Sequence, residues 1–256
     1  MLRLALLSWL STMTISVLGQ GVIEYGSNNG KNITVFNTRI YVEEYGEGAP
    51  LLLLQGGLGS IKDFGKCIPE LSKHFRVIAP DTPGQGRSEL PDSISYQRLT
   101  EYMSSIIDQL DLDSVYVMGW SDGGIMGLLL AESRPDKVKK VIAVGANYGL
   151  KGALAAHIPL DSVHPQPLHI WEQQNKAWVD MYTKTLPRDW KRMVNGLQAM
   201  WYAHEYFSPA LLERINIPVM IAQGDRDAII PEHSIDMHRR IKGSQLCVLP
   251  NTSHSV

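Results

Sequence analysis

The chain has 256 residues, 44% of them hydrophobic and 20% charged, with 24 Lys+Arg against 26 Asp+Glu for a formal net charge of −2. That balance belongs to a globular protein, one large α/β domain or two small ones, and excludes a disordered chain. No nucleic-acid partner is expected from so neutral a chain. Two cysteines without metal-ligand spacing, Cys67 and Cys247, exclude a disulfide framework and a zinc module.

At the N-terminus, Arg3 is followed by an uncharged, mostly apolar run from Leu4 to Leu18, and Val17-Leu18-Gly19 suits a signal peptidase. The pattern predicts a signal peptide over 1–19 and a secreted or periplasmic protein. The run is shorter than the roughly 20 apolar residues that span a bilayer. No membrane insertion is therefore expected after cleavage. Export would permit a Cys67–Cys247 disulfide, but two separate buried thiols are the expected state.

Beyond it, strands alternate with helices. Ile33–Phe36 and Ile40–Tyr45 read as a hairpin, and Leu51–Leu54, ending in Gly56-Gly57, as a strand buried on both faces. A helix is predicted over Ile61–Lys73, a strand over Phe75–Ala79, a helix over Tyr96–Leu110, and a strand over Val115–Met118. A helix over Gly124–Ser133 and a strand over Val138–Val144 follow. Later come a strand at Val219–Ala222, a helix at Glu232–Ile241 and a strand at Gln245–Leu249. The alternation predicts an α/β fold, a mostly parallel doubly wound sheet.

Residues 148–212 break the pattern. They contain four of the six tryptophans, Trp171, Trp178, Trp190 and Trp201, and no strong strand. The segment is too long for a plain loop and is read as a helical cap inserted between 20–147 and 213–256. Its aromatics either glue the cap to the body or line an apolar pocket.

The chemistry centres on Gly119-Trp120-Ser121-Asp122-Gly123-Gly124, a G-x-S-x-G pattern where a strand runs into a helix. A tight turn there lifts the serine hydroxyl above the sheet, provided the flanking residues are small. Serine needs a base, and the base an orienting acid. Of eight histidines, His254 alone follows the last strand at the sheet's C-terminal edge. His74 reads as surface, His157, His164, His169 and His204 as cap residues, and His233 and His238 as lying near the exposed side of a helix. The acid follows the preceding strand, in Gly224-Asp225-Arg226-Asp227. Asp227 is preferred, with Asp225 the alternative, more suited to capping or pairing with Arg226.

An oxyanion hole needs two backbone donors. The N–H of Asp122 is one, and that of Gly57 the other, with Leu58 as fallback. Leu58 and Trp120 are also expected to contact substrate. The Asp122 carboxylate would suit an ammonium-bearing substrate, or simply hydrogen-bond into the helix start.

Taken in order, Gln55-Gly56-Gly57, Asp81-Thr82-Pro83-Gly84-Gln85-Gly86-Arg87-Ser88, Gly119–Gly124, Gly224–Pro231 and His254 resemble the α/β-hydrolase superfamily. The likeness is greatest to capped members such as biphenyl-hydrolase-like esterases. The resemblance implies the α/β-hydrolase fold and hydrolysis of a carboxylic ester, less often of an amide, thioester or vinylogous carbon–carbon bond, in a small apolar or aromatic substrate. It implies neither metal nor organic cofactor. Serine at the elbow argues against dehalogenases and epoxide hydrolases, which attack with a carboxylate. Gln55 departs from the usual His-Gly, which implies different tuning of the oxyanion loop. The family's closing C-terminal helix is also not found in the sequence after His254. The rival expectations are a perhydrolase, an aminopeptidase, and an inactive or ligand-binding relative.

Overall fold

The structure, a computed structural model, describes Glu24 and residues 30–153, 158–185 and 189–254. The expected signal peptide and His157 lie outside the described residues. Among the described residues, no helix is long and apolar enough to cross a membrane.

β1 (Lys31–Val35) and β2 (Thr38–Tyr45) form the antiparallel hairpin, closing through Phe36 and Asn37, both at positive φ. β3 (Ala49–Leu54), β4 (Phe75–Pro80), β5 (Val115–Trp120), β6 (Val138–Val144), β7 (Val219–Arg226) and β8 (Gln245–Ser253) follow. They assemble in the order β1-β2-β4-β3-β5-β6-β7-β8, parallel from β4 onward. The register sets β3 beside β5, so the loops after Leu54 and after Trp120 emerge side by side.

Alternation along the strands divides the core in two. Leu52, Leu54, Ile78, Val115 and Val117 face the larger cluster, with α2 (Tyr96–Gln109) and α3 (Asp122–Ser133). Leu51, Leu53, Val77 and Ala79 face a smaller one with Ile61, Phe64 and Ile68. Burying each such leucine or valine contributes about 1.5–3 kcal/mol.

The helix predicted over Ile61–Lys73 is not continuous. A 3-10 turn, Ile61–Phe64, is followed by α1 (Ile68–Leu71), with Pro69 in its first turn. In an unbroken helix, Pro69 would lack the hydrogen bond to the Gly65 carbonyl and its ring would clash there. The helix has to restart around it.

Between β6 and β7 lie α4 (Leu168–Gln174), α5 (Lys176–Thr185) and α6 (Trp190–Trp201), besides 3-10 turns. Asp189 caps α6 by accepting from the Arg192 N–H at 3.1 Å. Trp171 stacks on Trp190 at 5.8 Å between ring centroids, and Trp178 on Tyr182 at 4.6 Å. These rings pack on one another within the larger core cluster. α7 (Pro231–Arg240) leads into β8. Cys67 and Cys247 are free and half-buried, not deeply buried as expected.

Candidate active site

β5 ends at Trp120 and α3 begins at Asp122, leaving Ser121 alone to make the turn, at φ 55° and ψ −119°. Its N–H donates to the Val144 carbonyl at 2.7 Å, which ties the turn to the neighbouring strand. Strain of this kind persists only where the surroundings impose it. The glycines make room for it. A Cβ on Gly119 would lie 2.1 Å from the Gly123 carbonyl oxygen, and one on Gly123 would lie 2.0 Å from that of Leu54.

His254 follows β8, and β8 is paired with β7, which carries Gly224 to Arg226 just before Asp227. The pairing brings three distant residues into line. Ser121 Oγ lies 3.0 Å from His254 Nε2, and His254 Nδ1 lies 2.7 Å from Asp227 Oδ1. An ionised carboxylate only accepts, so Nδ1 carries the hydrogen and Nε2 is left to accept from the serine hydroxyl.

The Asp227 side chain is fully buried, and Oδ1 also accepts the Ile229 N–H at 2.9 Å. Burial raises its pKa. The hydrogen bonds from His254 and Ile229 and the His254 charge outweigh that, and the carboxyl sits below its ordinary range. Asp225 does not reach the histidine. It is exposed and accepts the Thr252 N–H at 3.1 Å, clipping β7 to the end of β8.

Trp120, expected at the substrate, is placed differently. Its Nε1–H donates to the His254 carbonyl at 2.7 Å. Its ring lines a groove of about 510 Å³ with Phe64, Met118, Val144 and Leu249, to which none of Ser121, Asp227 and His254 contributes. Strand alternation explains this: next to the serine, the tryptophan is turned to the sheet face of the smaller core cluster, where it buttresses the histidine.

The backbone N–H of Asp122 opens α3 beside Ser121, and Gly57 lies against its side chain: a Cβ on Gly57 would sit 2.6 Å from Asp122 Oδ2. The two expected oxyanion donors thus come from adjacent segments. The Asp122 side chain is only 4% exposed and accepts from Tyr96 Oη–H at 2.8 Å and from Trp201 Nε1–H at 3.0 Å. Burial pushes its pKa up, against the pull of these two donors. Leu58 is partly buried against the larger core cluster, at φ 61°. Gln55 ties the loop after β3 together by donating Nε2–H to the Gly59 carbonyl at 3.1 Å.

His233 is buried, not near an exposed helix side: it stacks on Tyr148 at 4.0 Å and accepts the Tyr148 N–H at 3.1 Å. His74 is exposed as expected, and His204 lies 3.4 Å from Asp161. Sequence patterns missed Tyr96 and Trp201 as partners of Asp122, and Trp120 as a support of His254. Among the described residues, no group of three or more His, Cys, Asp or Glu is arranged to hold a metal.

Residues 49–189 match the profile of the alpha/beta hydrolase fold family. The chain is 27% identical over 247 residues to the serine hydrolase BPHL of Homo sapiens, covering 88% of this chain and 79% of that protein. It is 26% identical over 256 residues to 2-hydroxy-6-oxo-2,4-heptadienoate hydrolase of Pseudomonas putida, covering 89% and 90%. The crystal structure of the enol-lactonase from Burkholderia xenovorans LB400 has the same fold, at a TM-score of 0.67 and 23% identity over 88% of this chain and 93% of that one.

Proposed function

This chain belongs to the α/β-hydrolase fold family, and from that premise we propose that it is a serine hydrolase cleaving a carboxylic ester, or a related acyl bond, of a small apolar or aromatic substrate. The observation that carries the proposal is the line of hydrogen bonds from Ser121 Oγ through His254 to Asp227, at 3.0 and 2.7 Å. The relatives are named as a serine hydrolase and a dienoate hydrolase, which supports hydrolysis without naming the bond. The ester is inferred from the hydroxyl nucleophile and its base.

The chemistry follows from the atoms. Ser121 Oγ attacks the acyl carbon as its proton passes to His254 Nε2, and Asp227 stabilises the imidazolium at Nδ1–H. The oxyanion that forms is met by the N–H groups of Asp122 and Gly57. His254 then returns the proton from Nε2 to the leaving alcohol, which departs. Water attacks the acyl-serine with its proton going to Nε2, and as the intermediate collapses Nε2 returns that proton to Ser121 Oγ and the acid is released. None of these steps calls on a metal or organic cofactor.

Aminoacyl substrates are the second reading, motivated by the Asp122 carboxylate beside the nucleophile. The bonds that Tyr96 and Trp201 already make to it favour simple esters. The first test is intact-protein mass after treatment with a fluorophosphonate. The wild type is expected to gain one adduct and Ser121→Ala none. A folded wild-type protein that gains none would overturn the proposal. Parallel assays on simple 4-nitrophenyl esters, aminoacyl esters and aminoacyl anilides then separate the two readings.

A further inference from the structure

Two tryptophans between β6 and β7 reach out of their own helices to the loops beside Ser121. Trp178, on α5, donates Nε1–H to the Leu58 carbonyl at 2.9 Å. Trp201, the last residue of α6, donates Nε1–H to both oxygens of Asp122, at 3.1 and 3.0 Å. The Trp201 ring also lies against Gly57, where a Cβ would come within 2.4 Å of it. One indole therefore touches the two segments that supply the expected oxyanion donors, and the other holds the residue next to one of them.

The held residue needs holding. The Gly59 N–H donates to the Gly56 carbonyl at 3.2 Å, closing a turn whose third residue, Leu58, has φ 61°. That position favours glycine, and a branched side chain there carries a conformational cost. Left to itself, such a turn relaxes toward negative φ and moves the N–H groups of Gly57 and Leu58. The Trp178 bond fixes the Leu58–Gly59 peptide from outside, while Gln55 fixes the Gly59 carbonyl from within. Oxyanion stabilisation depends on donors that are already aimed before the charge develops.

We propose that Trp178 and Trp201 are positioning residues forming a clamp that holds the oxyanion hole, so that the helices between β6 and β7 set transition-state stabilisation rather than only covering the substrate. The inference rests on the serine-hydrolase reading.

The test uses the full chain with Trp178→Phe and Trp201→Phe, which keep an aromatic ring and remove the N–H. Trp190→Phe, from the same group of stacked rings, is the control. Three readouts are compared: kcat and KM on a 4-nitrophenyl ester, inhibition by an aryl boronic acid that forms a tetrahedral adduct on serine, and inhibition by the free carboxylate product. The clamp predicts that either variant lowers kcat and boronate affinity together by about 10- to 100-fold, less than the loss on deleting a donor outright. It predicts KM, product inhibition and the pH profile of kcat to stay within about twofold, because ground-state contacts and the His254–Asp227 pair are untouched. Trp190→Phe is expected to resemble the wild type.

A pocket-lining role would instead raise KM with kcat and boronate affinity retained, and that result overturns the clamp. So does an unchanged boronate affinity in a folded variant. If one variant fails to fold, the other decides. Should neither fold, boronate affinity and product inhibition of the wild type are followed against added urea below the unfolding transition, alongside hydrogen exchange of α5 and α6. Boronate affinity that survives local opening of those helices overturns the proposal, as does its loss in step with product inhibition, whereas boronate affinity lost while product inhibition is retained upholds it. A wild type that takes no fluorophosphonate adduct overturns the serine-hydrolase reading itself, an outcome distinct from a labelled wild type with an indifferent Trp178→Phe.

Discussion

The turn from β5 into α3 and the helices between β6 and β7 hold the same site by opposite means. The turn is built from what is missing: with no Cβ at Gly119 or Gly123, backbone packs on backbone and Ser121 has nowhere else to go. The inter-strand helices are built from bulk, with Trp171, Trp178, Trp190 and Tyr182 packed on one another and the polar ends of Trp178 and Tyr182 reaching the core loops. Sterics at the turn are local and severe. Aromatic packing is distributed, and individual losses should be partial.

The largest expected effect comes from breaking the turn. Gly123→Ala places a methyl 2.0 Å from the Leu54 carbonyl oxygen, against backbone that cannot yield. We expect a loss above about 4 kcal/mol, or no folded protein, in urea unfolding. Gly127→Ala, one turn further along α3, would meet only the Val141 and Val117 side chains at 3.2 and 3.4 Å. Alanine's better helix propensity, worth about 1 kcal/mol, offsets that crowding and leaves stability near wild type. Equal losses at the two positions would show that the turn is not special.

Next in size is Trp171→Ala among the stacked rings. Truncating a buried tryptophan costs about 3–5 kcal/mol. Hydrogen exchange is expected to show the loss concentrated in α4, α5 and α6, with amides of β5 and α3 still protected. Uniform loss would mean that the two regions unfold as one.

The smallest effect is at His233 on α7 beneath Tyr148, outside both regions. Burial pushes its pKa down to about 4, despite Asp236 nearby, with Lys151 adding to the fall. A histidine depressed in this way stabilises the fold fully above its unfolded value of about 6.5, and that contribution is lost as pH falls toward 4. The loss amounts to roughly 2–3 kcal/mol at most. His233→Gln keeps an acceptor for the Tyr148 N–H and removes the titration. Urea unfolding between pH 7 and 4 should therefore show a flatter pH dependence in the variant, and parallel curves would rule the linkage out.

Legibility in the sequence followed the same division. The elbow was readable because its rule is short-range: a glycine two residues before and two after the serine, between a strand and a helix. His254 and the acidic segment Gly224–Asp227 were readable because each follows a strand at the same edge of the sheet. Other expectations gave way to partners distant in the chain. Trp120, adjacent to the nucleophile, turns to the other sheet face and holds the His254 carbonyl. The predicted helix over Ile61–Lys73 restarts around Pro69. His233 pointed inward because Tyr148 lies over it, which helical spacing alone does not reveal.

The sequence by itself determined the alternation of strands and helices, the glycine-flanked turn, and the chain order of Ser121, an aspartate within Gly224–Asp227, and His254. These depend on periodicity and on the space around a Cβ, properties that neighbouring residues carry with them. Only the tertiary structure decided that Asp227 rather than Asp225 meets the histidine, and that Asp122 is held by Tyr96 and Trp201. It also decided that Trp178 and Trp201 direct their N–H groups to the segments around Ser121. A hydrogen bond across 79 or 120 residues is set by how sheet and helices pack, and nothing local in the chain specifies its partner.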